Sequence, residues 1–304
     1  MKITSRINTQ ELLFCASLSL LAAGVSVNVQ ATEGGGSSYA MGSENYGAGS
    51  MPKPGFYGLV YSSHYEADSR NGNNGEKLPV DFRVQSNSIS PRFVWVTDQQ
   101  ILGGNFALHT VMPLVDLKVD LNGRSQRQQG LGDITFGPGL GYHLTDKLRS
   151  IVGLDFVAPT GEYDRNDLAK IGRNYWVVRP VLALSYIDPV GLNADAKIMY
   201  DFNTKNKATD YTSGQEFHVD YSMGWGLGNG WVVGVGGYVY QQTTDDRQYG
   251  ERIENNKGHA LAIGPSIKYA SSKGWYLTAK WQQETDVRNR AEGDAYWLKL
   301  AIPF

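Results

Sequence analysis

The stretch HVDYS sets His218, Asp220 and Ser222 at alternate positions, and these are the residue types of a charge-relay hydrolase. On an extended chain alternate residues share a face, each about 6.8 Å from the next by strand rise. A relay needs hydrogen bonds between its members, so the spacing favours a strand pattern over catalysis. The runs Gly137-x-Gly139-x-Gly141 and Gly224-x-Gly226-x-Gly228 lie within or beside alternating segments. A dinucleotide fingerprint sits between a strand and a helix instead. The chain carries no G-x-S-x-G elbow and no H-E-x-x-H helix, and its 5 histidines are scattered without metal-ligand spacing. The sequence therefore predicts no catalytic residue, no metal and no cofactor.

What does recur is charge at one parity of alternating segments. Arg92, Asp155, Arg179, Asp195, Lys197, Asp201, Glu216, His218, Asp220, Lys268, Lys280 and Glu284 share an inward parity, joined by Tyr238, Tyr240 and Tyr276. Buried charges must be compensated, so one expectation is a paired ionic network filling a narrow interior. The other is a polar channel wall whose charges filter solutes. The two are compatible.

Positioning such a wall requires strands with a polar and an apolar face. YWVVRPVLALSYI turns Trp176, Val178, Leu182, Leu184 and Tyr186 away from Arg179, and EFHVDYSMGW turns Phe217, Val219, Tyr221, Met223 and Trp225 away from His218. About twelve such segments recur from Phe56 onward, each near the length that a tilted membrane strand needs. Polar stretches such as EADSRNGNNGEKLP, NGRSQRQQG and TDDRQYGERIENNKG alternate with short links such as YIDPVG and GLGNG. Long loops on one side and tight turns on the other are expected of an outer-membrane barrel. The predicted fold is all-β, an antiparallel transmembrane β-barrel of about 12 strands. Its last strand, YWLKLAIPF, carries Tyr296, Leu298, Leu300, Ile302 and Phe304 on one apolar side. Closure against the first strand explains why this end does not fray, and the pattern resembles the carboxy-terminal signal read by outer-membrane assembly machinery.

Composition sets the compartment. Lys2 and Arg6 precede an apolar run from Leu12 to Val27, and Val29-Gln30-Ala31 offers a small-x-small cleavage site. Cys15, the only cysteine, falls in this run behind the bulky Phe14, which disfavours a lipoprotein cysteine. Residues 1–31 thus read as a signal peptide. The exported chain would begin near Thr32 and hold no disulfide. Residues 32–54 are Gly-rich and aperiodic, a flexible segment that could lie in the lumen. Residues 55–304 are the barrel. A net charge of -2 gives no field for nucleic acid, and a mean hydropathy of -0.35 suits a barrel whose faces alternate.

GLGDITFGPGL, PTGEYD, IGRNYW, YDFNTKNKATDYTSGQEFHVDY, YQQTTDD and RNRAEGDAYWLKL resemble, in this order, the family labelled as meta-pathway phenol degradation proteins. The resemblance implies an outer-membrane barrel that assists uptake of small hydrophobic or aromatic compounds, with no established catalytic residues. It implies outer-membrane lipid, the assembly machinery and a small hydrophobic solute as partners. Its signature residues include Asn203, Thr204, Asp210, Tyr211, Ser213 and Gly214 at one loop and Asp164, Arg173 and Asn174 at another, either gating solutes or holding the mouth closed. The competing functions are a membrane-embedded lipid hydrolase and a structural or adhesive barrel acting through its loops.

Overall fold

The computed structural model describes residues 31–303. Residues 1–30 of the expected signal peptide (residues 1–31) and the terminal Phe304 lie outside the described residues. Eighteen strands follow one another: β1 (Gly55–Arg70), β2 (Phe82–Ile101), β3 (Gly104–Val111), β4 (Leu114–Leu121), β5 (Arg124–Leu131), β6 (Ile134–His143), β7 (Leu148–Ala158), β8 (Val177–Tyr186) and β9 (Val190–Asn203). After them come β10 (Lys205–Asn206), β11 (Tyr211–Thr212), β12 (Glu216–Leu227), β13 (Trp231–Gln242), β14 (Asp246–Gln248), β15 (Glu251–Ile253), β16 (His259–Ala270), β17 (Tyr276–Arg288) and β18 (Ala291–Pro303). Every pairing between them is antiparallel. The order β1-β18-β17-β16-β13-β12-β9-β8-β7-β6-β3-β2 closes because β1 also pairs with β2, giving a twelve-stranded barrel without a free edge. Leu59 stands opposite Ala301 on one side and Arg92 on the other.

The remaining strands lie beyond the wall. β2 pairs with β3 through Arg92–Ile101 and with β4 through Phe82–Ile89. β3 and β4 are therefore two halves of one long strand interrupted at Met112 and Pro113, and β5 and β6 are likewise interrupted at Gly132 and Asp133. This corrects the reading of NGRSQRQQG as a loop. Only Asn122 and Gly123 turn, both with positive φ, as a two-residue hairpin requires, and Arg124–Leu131 is strand β5. Asp116 and Arg127 form a forked ion pair, 2.6 and 2.7 Å, on the outer face. A hairpin with charges there stands clear of the lipid band, so its strand lacks the apolar face by which the others were recognised. β10, β11, β14 and β15 form a separate four-stranded sheet in the long loops.

Around the barrel the faces are inverted relative to a soluble protein. Trp95, Leu182, Met223, Trp225, Trp281 and Leu298 are exposed on the outside, while Asp201, Glu216, His218, Gln242 and Gln282 are fully buried inside. An apolar exterior of this extent needs lipid. On the terminal strand Tyr296, Leu298 and Ile302 point outward with the half-buried Leu300, and Trp297 and Lys299 point inward. β1 departs from this division in part. Its Tyr61 is 5% exposed and faces the interior, with Tyr65 and Leu59 packed beside it, while Phe56 is 60% exposed.

Candidate solute pathway

Residues 31–54 run through the barrel between its inward faces. At the long-loop end the Thr32 amide donates to Asp246 Oδ2 (3.1 Å), and Tyr163 and Asn206 each donate to the Glu33 carboxylate (2.7 Å). Farther in, Ser37 donates to Glu216 (3.2 Å), Ser38 to Asp201 (2.8 Å) and Tyr39 to Asp220 (2.6 Å). The Gly42 and Glu44 amides both reach Asp220 at 2.9 Å, the Gly47 and Ala48 amides reach Asp195 Oδ1 at 2.7 and 3.0 Å, and the Gly49 amide reaches Ser185. Arg149 then donates to Ser50, and the chain turns back into β1 at the short-turn end. Small residues are what this path demands. A Cβ on Gly42 would lie 2.2 Å from Gln282 Oε1, with φ at +76, and one on Gly49 would meet the backbone of Ala183 at 2.8 Å. Carboxylates on the wall thus satisfy backbone amides that have no sheet partner.

Glu44 is the centre of the ionic network. Its Oε1 accepts from Tyr61 (2.9 Å) and Arg92 (3.0 Å), its Oε2 from Lys299 (3.0 Å), and its carbonyl from Lys280 (2.7 Å). Arg179 forks onto Asp201, and His109 pairs with Asp155 at 2.8 Å. Lys197 lies 5.1 Å from the ring of Tyr39, and Lys268 lies 5.0 Å from that of Tyr276. Tyr65 and Tyr238 both donate to Glu284, and Tyr240 donates to Glu216 (2.8 Å). The inward-parity residues named from sequence therefore converge on one interior. Lys299 joins them and was legible from its parity. Glu44 and Tyr39 were not, because their segment has no periodicity.

Two chemical alternatives meet this geometry. Ligand atoms of Asp201, Glu216 and His218 lie within 4.8 Å of one another, with His218 Nε2 3.6 Å from Asp201 and 3.7 Å from Glu216. Both oxygens of Asp201 are already engaged by Arg179, so the cluster is an ion pair with a neighbouring carboxylate and imidazole rather than an open metal site. His218 and Ser222 make no side-chain hydrogen bond, and Asp220 is occupied by the segment. HVDYS does not form a relay.

Two cavities flank the segment. One, of about 500 Å³, opens at the long-loop end between Tyr39, Met41, Val115, Leu117, Ile171 and Trp297. The other, of about 390 Å³, lies toward the short turns beside Glu44, Met51, Arg92, His109 and Tyr276. At the mouth Asn174 donates to Asn206 and Tyr211 to Asp246, each bond joining two loops, and Asn203 donates to the Gly214 carbonyl within the connection from β9 to β12.

The family described as "Putative MetA-pathway of phenol degradation" matches residues 67–300. The chain belongs to this family. Among solved structures, the COG4313 outer membrane channel from Pseudomonas putida F1 aligns at a TM-score of 0.75 and 18% identity, covering 84% of this chain and 98% of that one. The translocator domain of autotransporter NalP from Neisseria meningitidis aligns at a TM-score of 0.50 and 10% identity, covering 84% and 91%. Both likenesses concern the fold, which is that of outer-membrane barrels. No curated protein sequence matches the chain. Within this phenol-degradation family barrel the matched region takes in both loops carrying Arg173, Asn174, Asn203 and Tyr211. In the structure Asn174 and Tyr211 tie loop to loop, and Asn203 bonds within its own loop.

Proposed function

We propose that the chain is an outer-membrane channel for small aromatic or other hydrophobic molecules, and that residues 32–54 are a plug narrowing its lumen. The observation that carries this reading is the cavity of about 500 Å³ at the long-loop end, whose lining includes Val115, Leu117, Val119 and Trp297 interleaved with Ser86, Ser88 and Ser90. A volume of this size accommodates a single-ring compound. The solute leaves water for the apolar residues of this lining, and the turn from Tyr39 to Glu44 lies beneath it. Below that turn Glu44 pairs with Arg92 and Lys299 and Asp155 pairs with His109, while Lys197 and Lys268 lie against tyrosine rings without a salt-bridge partner among the described residues. Displacement of the segment, or passage along its edge, then delivers the solute to the lower cavity. The family's association with phenol degradation and the channel assignment of the Pseudomonas putida protein support the same direction.

The test is initial uptake of radiolabelled phenol and of a labelled disaccharide by cells with and without the chain. Phenol uptake is expected to rise severalfold, to fall back with Leu117→Arg, and disaccharide uptake to stay level. An equal rise for both solutes, or none for phenol, contradicts the proposal.

A further inference from the structure

Asp246 opens β14 in the loop sheet, and its carboxylate is wholly buried. Gly214 N–H (2.6 Å) and Gln242 Nε2 (2.9 Å) donate to Oδ1, while Tyr211 OH (2.7 Å), Asn256 Nδ2 (2.5 Å) and Thr32 N–H (3.1 Å) donate to Oδ2. All five donors are neutral. Among the described residues no Lys, Arg or His pairs with Asp246, and the nearby Arg252 and Lys257 pair with Asp245 instead. With neutral donors alone, burial pushes the Asp246 carboxyl up to about 6. The site is built for an anion and, among the described residues, lacks a cation.

Thr32 is where a cation would arise. Its nitrogen already faces Asp246, and the sequence places a small-x-small cleavage motif, Val29-Gln30-Ala31, directly before it. We propose that a leader peptidase hydrolyses the Ala31–Thr32 bond and that the Thr32 α-ammonium so released pairs with Asp246, fixing the start of the segment at the mouth of the barrel. Water adds across the amide: its hydroxyl goes to the Ala31 carbonyl carbon, which leaves as a carboxylate. The Thr32 nitrogen takes the hydrogen and, with an α-amino pKa of about 7.7–8.0, holds a further proton at neutral pH. Cleavage removes the Ala31 N–H bond to the Asn289 carbonyl (3.2 Å) and the Thr32 hydroxyl bond to the Ala31 carbonyl (2.7 Å). It replaces them with a buried, hydrogen-bonded ion pair. Topology requires the same order of events. Thr32 lies at the long-loop end, so a leader still attached would have to leave through the outer mouth, out of reach of the inner membrane.

The experiment compares protein purified from outer membranes with a refolded chain that keeps Val29 to Ala31. Mass spectrometry of the first is expected to find Thr32 as its initial residue. Asp246→Asn should lower the folded-to-unfolded ratio in urea by about tenfold, equivalent to about 1.4 kcal/mol, in the cleaved chain and by less than about twofold in the extended one. A different first residue, or an equal effect in both chains, overturns the proposal. If Asp246→Asn abolishes folding, pH dependence of the unsubstituted chains decides. In the extended chain the carboxyl is raised, so stability should fall as pH rises from about 4 to 6. In the cleaved chain the ammonium lowers it, so stability should be lost on acidification instead. The same slope in both chains overturns the ion pair.

Discussion

Arg179 on β8 lays its guanidinium across the carboxylate of Asp201 on β9, with Nε 2.5 Å from Oδ1 and Nη2 2.7 Å from Oδ2. Both side chains are buried completely, and Ser38 of the threaded segment donates to the same carboxylate. The pair joins two neighbouring strands and the segment at one point. Asp201→Ala leaves a buried guanidinium without its counter-ion, which should destabilise the barrel by about 3–5 kcal/mol. Arg179→Met combined with Asp201→Leu should recover much of that loss. Urea unfolding in lipid vesicles measures both. A loss below about 1 kcal/mol for the single variant would mean that water already screens the pair.

Glu44 holds the segment by charge. Glu44→Gln keeps the size of the side chain but leaves Arg92 and Lys299 facing a neutral group. The segment should then leave its seat more often, seen in bilayer recordings as more frequent conducting events. Lys299→Met should act in the same direction, since it unpairs Glu44 from the other side. Unchanged recordings for both variants would place the hold on the segment elsewhere.

The lipid band can be mapped by charge. Leu182 lies near the middle of β8 and is exposed outward, so Leu182→Arg should destabilise by about 2–4 kcal/mol. Arg127→Leu, on the outer face of the projecting hairpin, removes an exposed ion pair and should change stability by less than about 1 kcal/mol. A gain in stability of about 2–4 kcal/mol from Arg127→Leu, opposite in sign to the effect of Leu182→Arg, would place the hairpin within the bilayer.

These positions also mark how far the sequence could be read. Parity alone placed Arg179, Asp201, Glu216 and Asp220 on one inward wall, because a strand with lipid on its other side must alternate strictly. The β4–β5 hairpin escaped notice for the converse reason. Outside lipid its outer face carries Asp116, Lys118 and Arg127, and the polar run from Asn122 to Gly130 resembles a loop. Glu44 lies in a stretch where each residue answers to a different wall group, so no period announces it. The donors around Asp246 come from residues 32, 211, 214, 242 and 256, and only the folded barrel brings them together.

The account rests most directly on the segment as a barrier. Single-channel conductance of the full chain should be compared with a chain whose leader is joined directly to Met51, removing residues 32–50. The account predicts small or rare currents from the full chain and larger, sustained currents from the shortened one, with both proteins showing the heat-dependent gel shift of a folded barrel. Equal conductance from two folded barrels would contradict it.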